Sequence, residues 1–190
     1  MNIKYDFTGK VCVVTGGASG MGAAFATALA KSGAEVFMAD IQFEKAQEMS
    51  QALNASGCNT HALYLDATKE QSALDMAAEA VKQAGRIDIM VNCVGIGAGA
   101  KDGETPFDTF NRVMAVNIHG IYNCCIAVGE EMIKQGHGTI VNMGSLSTTV
   151  VPEKTRPGPP GCCAAFRCGR LPAGRRSYRS QSGRGPRHSP

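Results

Sequence analysis

Lys10-Val11-Cys12-Val13-Val14-Thr15-Gly16-Gly17-Ala18-Ser19-Gly20-Met21-Gly22 is the stretch from which the fold can be read. Val11 to Val14 is a short apolar, β-branched run, as expected of a strand buried on both faces. Glycines follow at 16, 20 and 22. Met21, Phe25, Ala28 and Leu29 then recur at helical spacing, predicting one apolar helix face. A strand that turns sharply into a helix needs permissive backbone angles. The missing Cβ atoms also let a pyrophosphate approach the chain, where a helix N-terminus offers unpaired N–H groups and a positive dipole end. The spacing is Gly-x-x-x-Gly-x-Gly, not the Gly-x-Gly-x-x-Gly of the commoner dinucleotide fingerprint.

Working outward, 34–39 reads as a second strand ending at Asp40, 20 residues past Gly20. A carboxylate at that distance suits ribose hydroxyls and repels a 2′-phosphate. No Lys or Arg occupies 16–22 or 39–43, so NAD is expected rather than NADP. The competing role for Asp40 is an N-cap, because a helix bearing Ala46, Met49 and Leu53 follows. Residues 59–65 predict a third strand leading to Asp66, 70–84 a helix closed by Gly85, and 87–91 a fourth strand running into Asn92-Cys93-Val94-Gly95. Gly95-Ile96-Gly97-Ala98-Gly99-Ala100 matches Gly-x-Gly-x-x-Ala literally. Loop residues 101–105 follow it instead of a helix, so it reads as a flexible active-site loop. Pro106 opens a helix carrying Phe107, Phe110, Val113 and Met114. Asn117 follows, then a long apolar helix from about 121 to 134 and a fifth strand over 139–143. Strands alternating with helices predict an α/β, Rossmann-like, doubly wound parallel sheet of order 3-2-1-4-5.

The totals divide the chain in two. Its 190 residues carry a net charge of +3, but 1–156 carry −4 and 157–190 carry +7. The second stretch holds seven of the arginines, no lysine or acid, and six of the eight prolines, the composition of a disordered segment. The expected organisation is a dinucleotide-binding domain over 1–156 and a disordered Arg/Pro/Gly-rich tail over 157–190. No apolar run reaches membrane-spanning length, and the N-terminus does not look like a signal peptide. The eight cysteines lack paired metal-ligand spacing and read as small core residues in a reducing, cytoplasmic setting, with no metal expected. Arginines without interleaved aromatics argue against a nucleic-acid partner.

Thr15-Gly16-x-x-x-Gly20-x-Gly22, Asp40, Asp66, Asn92-x-x-Gly95, Asn117 and Ser145 resemble, in order and spacing, the classical short-chain dehydrogenase/reductases over roughly residues 5–155. The resemblance implies an NAD-dependent oxidoreductase that passes hydride between nicotinamide and a secondary alcohol or ketone. It implies that Gly16, Gly20 and Gly22, with Ser19 and Met21 between them, form the pyrophosphate turn. Asp40 would select NAD, Asp66 would hold the adenine amino group, and Asn92 and Gly95 would lie beside the adenosine. Ser145 would bond the substrate oxygen and Asn117 would hold a relay water. Members homo-oligomerise through the helix at 121–134 and the one after it.

The family's chemistry also needs a Tyr and, four residues later, a Lys, about a dozen residues past the Ser. The tyrosines here are 5, 64, 122 and 178, and no lysine follows Lys154. Gly158 and Cys162 stand where the pair would. The abrupt change in composition predicts a chain truncated or read in a shifted frame from about residue 157. The alternative function is therefore a catalytically inactive dinucleotide-binding remnant.

Overall fold

The structure, a computed structural model, describes residues 5–97 and 99–144. Five strands, β1 (Val11–Thr15), β2 (Glu35–Asp40), β3 (Asn59–Tyr64), β4 (Ile89–Asn92) and β5 (Thr139–Asn142), form one parallel sheet of order β3-β2-β1-β4-β5. The helices are α1 (Gly20–Lys31), α2 (Phe43–Ala55), α3 (Glu70–Ala84), α4 (Pro106–Met114) and α5 (Ile121–Gln135). This is the expected Rossmann-like α/β topology.

Alternation along β1 explains why Val11 to Val14 are all apolar. Val11 and Val13 face one layer, with Phe37, Ala77, Cys124 and Met132. Cys12 and Val14 face the other, with Ala26, Leu29, Ala46 and Met38. Helices α3 and α5 cover the first face, and α1 and α2 the second, so no residue of β1 meets water. Burial pushes the Cys12 and Cys124 thiols up to about 12, which leaves them protonated core residues.

The sequence misplaces two helix faces. On α1 the buried residues are Gly22, Ala26, Leu29 and Ala30, whereas Met21 is 59% exposed. Small side chains let the helix lie close to the strands, and the larger Met21 is displaced to the rim of a cavity. On α4 only Thr109 and Val113 are buried, and Phe107 is 79% exposed. Apolar spacing counts residues on a face but does not supply a cover for them, and none of the described residues covers Phe107. Thr105 and Asp108 cap α4 reciprocally, at 3.2 and 3.0 Å, a capping box just ahead of the expected Pro106.

Strand β4 begins two residues later than the sequence predicts because Asp88 has another task. It is 7% exposed. Its carboxylate accepts from the Val11 N–H at 2.8 Å and the Arg86 Nε at 3.0 Å, and meets His137 Nε2 at 3.2 Å. The starts of β1, β4 and β5 are thereby tied together. Burial pushes this carboxyl up, but the Val11 bond and the Arg86 charge outweigh burial and hold it below the usual 3.8. Its contribution is therefore present above that value and is lost as pH falls through the lower folded one. Asp88→Ala is expected to cost about 2–4 kcal/mol at neutral pH, because a buried donor and a guanidinium lose their acceptor. Urea melts should show the gap from the unsubstituted chain narrowing below about pH 4. A gap independent of pH would refute this assignment.

Candidate functional site

In a parallel sheet every strand's carboxyl end points to the same edge, and loops from neighbouring strands diverge there to leave a crevice. Here that crevice is a cavity of about 500 Å³. Its walls come from the β1–α1 turn (Gly16, Ser19, Gly20, Met21, Gly22), the end of β2 (Asp40, Ile41, Gln42), the β3–α3 loop (Leu65 to Thr68), the β4 exit (Cys93 to Ile96), and Lys101, Arg112 and Val116.

The glycine turn is wedged. Gly16 has φ +66°, and a Cβ there would lie 3.0 Å from the Cys93 carbonyl and the Val94 nitrogen. A Cβ on Gly22 would collide with the Gly16 carbonyl oxygen. The turn thus packs backbone to backbone between β4 and α1, and its outer side faces the cavity. Ser19 is the N-cap of α1 but makes no side-chain cap bond, and the first turn holds no acidic residue. The opening N–H groups of α1 are left to an incoming anion.

Asp40 is buried at the cavity wall. Its Oδ2 accepts from the Ala18 N–H at 3.0 Å and its Oδ1 from the Gln42 N–H at 2.9 Å. The N-cap role does not hold: Gln42 is the N-cap residue of α2, and it too makes no side-chain cap bond. The two bonds instead lock the carboxylate beside the glycine turn. Asp66 lies across the cavity, with its Oδ1 accepting from the Thr68 N–H at 3.1 Å and the Thr68 hydroxyl at 2.7 Å.

Asn92 is not on the wall. It is 0% exposed. Its Oδ1 accepts from the Thr15 hydroxyl at 2.7 Å, and its Nδ2 donates to Asn142 Oδ1 at 2.9 Å. It knits β1, β4 and β5 from inside the sheet, one residue short of the exit. Cys93, which the sequence reading did not select, takes the wall position, with its thiol pushed up to about 11 by burial. Gly95 does reach the cavity.

Asn117 sits in a six-residue π-helical segment, Ala115–Gly120, between α4 and α5. Its Oδ1 accepts from the Ile96 N–H at 2.8 Å and its Nδ2 donates to the Ile96 carbonyl at 2.9 Å. The helix irregularity and the side-chain bonds to the backbone thus occur at the same residue. The other end of the same loop is latched by an ion pair. Arg112 donates Nε to Glu104 Oε1 at 2.7 Å and Nη2 to Oε2 at 2.8 Å, and Nη2 also reaches the Gly99 carbonyl at 2.8 Å. The Arg112 bonds hold the Glu104 carboxyl at about 2. No spacing rule pairs these two residues, because one lies in a loop. Lys101, Val116 and Arg112 were likewise not anticipated. As expected, no helix follows Gly95–Ala100. Ser145, the Tyr/Lys positions and the 157–190 tail lie outside the described residues. No described helix is long and apolar enough to cross a membrane.

The arrangement suits an elongated ligand with an anionic middle against the helix N-terminus and hydroxyls against a carboxylate. Comparison with known proteins points the same way. Residues 10–156 match the family model described as short chain dehydrogenase. The D-threitol dehydrogenase of Mycolicibacterium smegmatis is 36% identical over 153 residues, covering 79% of this chain and 58% of that protein. The NAD-dependent glycerol dehydrogenase of Listeria innocua is 35% identical over 150 residues, with the same coverage of each. A solved 7α-hydroxysteroid dehydrogenase, in complex with NADH and 7-oxo glycochenodeoxycholic acid, superposes with TM-score 0.71 at 29% identity, over 78% of this chain and 58% of that one. The chain thus spans a little over half the length of these relatives.

Proposed function

The chain belongs to the short-chain dehydrogenase family, and from that premise we propose that its 1–156 domain holds NAD in the cavity at the carboxyl edge of the sheet. One observation carries the reading: the Asp40 carboxylate, buried and oriented by two backbone N–H groups, stands beside a turn in which Gly16 and Gly22 leave no room for a side chain. The open N-terminus of α1 would take the pyrophosphate. Asp40 would accept from the ribose hydroxyls, and its charge disfavours the 2′-phosphate of NADP. Asp66 would accept from the adenine amino group, and Gly95 would lie beside the adenosine. When bound, the nicotinamide would accept or supply a hydride at its C4. Asn117, whose side chain is tied to the Ile96 backbone, would hold a water of the proton relay. Ser145 would bond the substrate oxygen. The family affiliation, the glycerol dehydrogenase's NAD dependence and the steroid enzyme's NADH complex support a nicotinamide cofactor, and the family affiliation supports a small alcohol or carbonyl compound as the substrate class.

A second reading has its own observation. The sequence holds no Tyr-x-x-x-Lys past Ser145, and without that pair there is no phenol to carry the hydroxyl proton and no ammonium to lower its pKa. The chain as written would then grip the dinucleotide without turnover. NADH fluorescence titration combined with a turnover assay on secondary alcohols tests both. Saturable binding without turnover is the expected result. Turnover would overturn the second reading, and absence of binding would overturn the first.

A further inference from the structure

Asn123 does not line the cavity, yet one cavity wall depends on it. It lies in the first turn of α5, and its Nδ2 donates to the Ala67 carbonyl at 3.0 Å. Ala67 is flanked by Asp66 and Thr68, and all three line the cavity. The two Thr68 bonds lock the Asp66 carboxylate to its own loop, so the carboxylate moves only as the loop moves. From the α3 side, Ser72 accepts from the Asp66 N–H at 3.0 Å. From the α5 side, Gly120 approaches so closely that a Cβ there would lie 3.1 Å from the Ala67 Cβ. That contact stops the loop from moving inward but cannot pull it back. The Asn123 bond is the tether that does.

We propose that Asn123 is a positioning residue: by holding the Ala67 carbonyl it sets the reach of Asp66 toward the base, and so the preference for a base bearing an exocyclic amino group. The inference rests on the dinucleotide reading above. It predicts a selectivity effect, which a merely structural role would not produce. The measurement is the ratio of affinities for NAD and for its hypoxanthine analogue, which carries an oxo group in place of the amino group. The unsubstituted chain is expected to prefer NAD. Asn123→Ala, and the isosteric Asn123→Asp that cannot donate, should each lower that preference about fivefold, the effect of one neutral hydrogen bond. Asn123→Gln, which still donates, should restore part of it, and adding Asn123→Ala to Asp66→Ala should lower it no further. Equal weakening of both ligands would show a structural role only and overturn the proposal. A chain that binds both ligands equally would overturn the Asp66 route, and this proposal with it, while leaving NAD binding intact. A chain that binds neither would overturn the dinucleotide reading itself.

Discussion

Gly22→Ala is expected to abolish detectable dinucleotide binding and to lower stability by about 2 kcal/mol. Two effects of opposite sign compete. Alanine inside a helix is favoured over glycine by about 1 kcal/mol. Against that, its Cβ would enter the space of the Gly16 carbonyl and come within 3.3 Å of the Cys93 Cβ. Overpacking costs about 1–3 kcal/mol when side chains can yield, and here the obstacle is backbone. Gly16 has little room to retreat, because the Cys93 and Val94 backbone lies so near that a Cβ added to Gly16 would be 3.0 Å from it. The collision therefore wins, at the upper end of that range. The relief open to the chain is to shift α1 away from the turn, which moves the N–H groups that the proposed site would offer to the pyrophosphate. Urea unfolding and NADH titration report the two parts separately. An unchanged midpoint together with unchanged affinity would refute the wedged-turn account.

The second large effect is expected at Asp40. Asp40→Ala should lower NAD affinity about 10- to 100-fold, since hydrogen bonds to a charged acceptor contribute about 1.5–3 kcal/mol. It also leaves the Ala18 N–H, now bonded at 3.0 Å, without its acceptor, so part of any loss could come from a loosened turn. The ratio of NAD to NADP affinity separates the two causes, because turn damage weakens both ligands and charge removal relieves only NADP. That ratio should fall by at least tenfold. A constant ratio would show that Asp40 shapes the turn without reading the ribose.

The fold was legible to within a residue or two because a parallel strand buried on both faces is written as a continuous apolar run, as in Val11–Val14. What escaped depends on partners distant in sequence. Asp88 reads as the second residue of a strand until Val11, 77 positions away, claims its carboxylate. The cavity was legible where its walls coincide with backbone demand: glycines at a tight turn, and Asp40 and Asp66 at or just past strand ends. Asn92 misled because strand residues alternate in direction. It lies in the last position of β4 and points to the face covered by α5, where it meets Cys125, while Cys93, just beyond, reaches the wall. Lys101 and Arg112 were missed because the path of the 96–104 loop is set by the Arg112–Glu104 pair and by the Asn117 bonds to Ile96, and neither leaves a periodic trace.

The strand order also bears on how the chain is assembled during synthesis. Pairing β1 with β2 and β2 with β3 closes short stretches of chain, from Val11 to Glu35 and from Glu35 to Asn59. Seating β4 beside β1 joins Cys12 to Ile89, a far longer loop whose closure carries a larger entropic cost. The β3-β2-β1 half, with Asp40 and the glycine turn already adjacent, can thus form before β4 is seated. Until then the central strand is a bare edge with apolar side chains on both faces, a species prone to pair with its neighbours on the ribosome. The middle of the sheet, buried deepest in the finished molecule, is the part most exposed while it is being made.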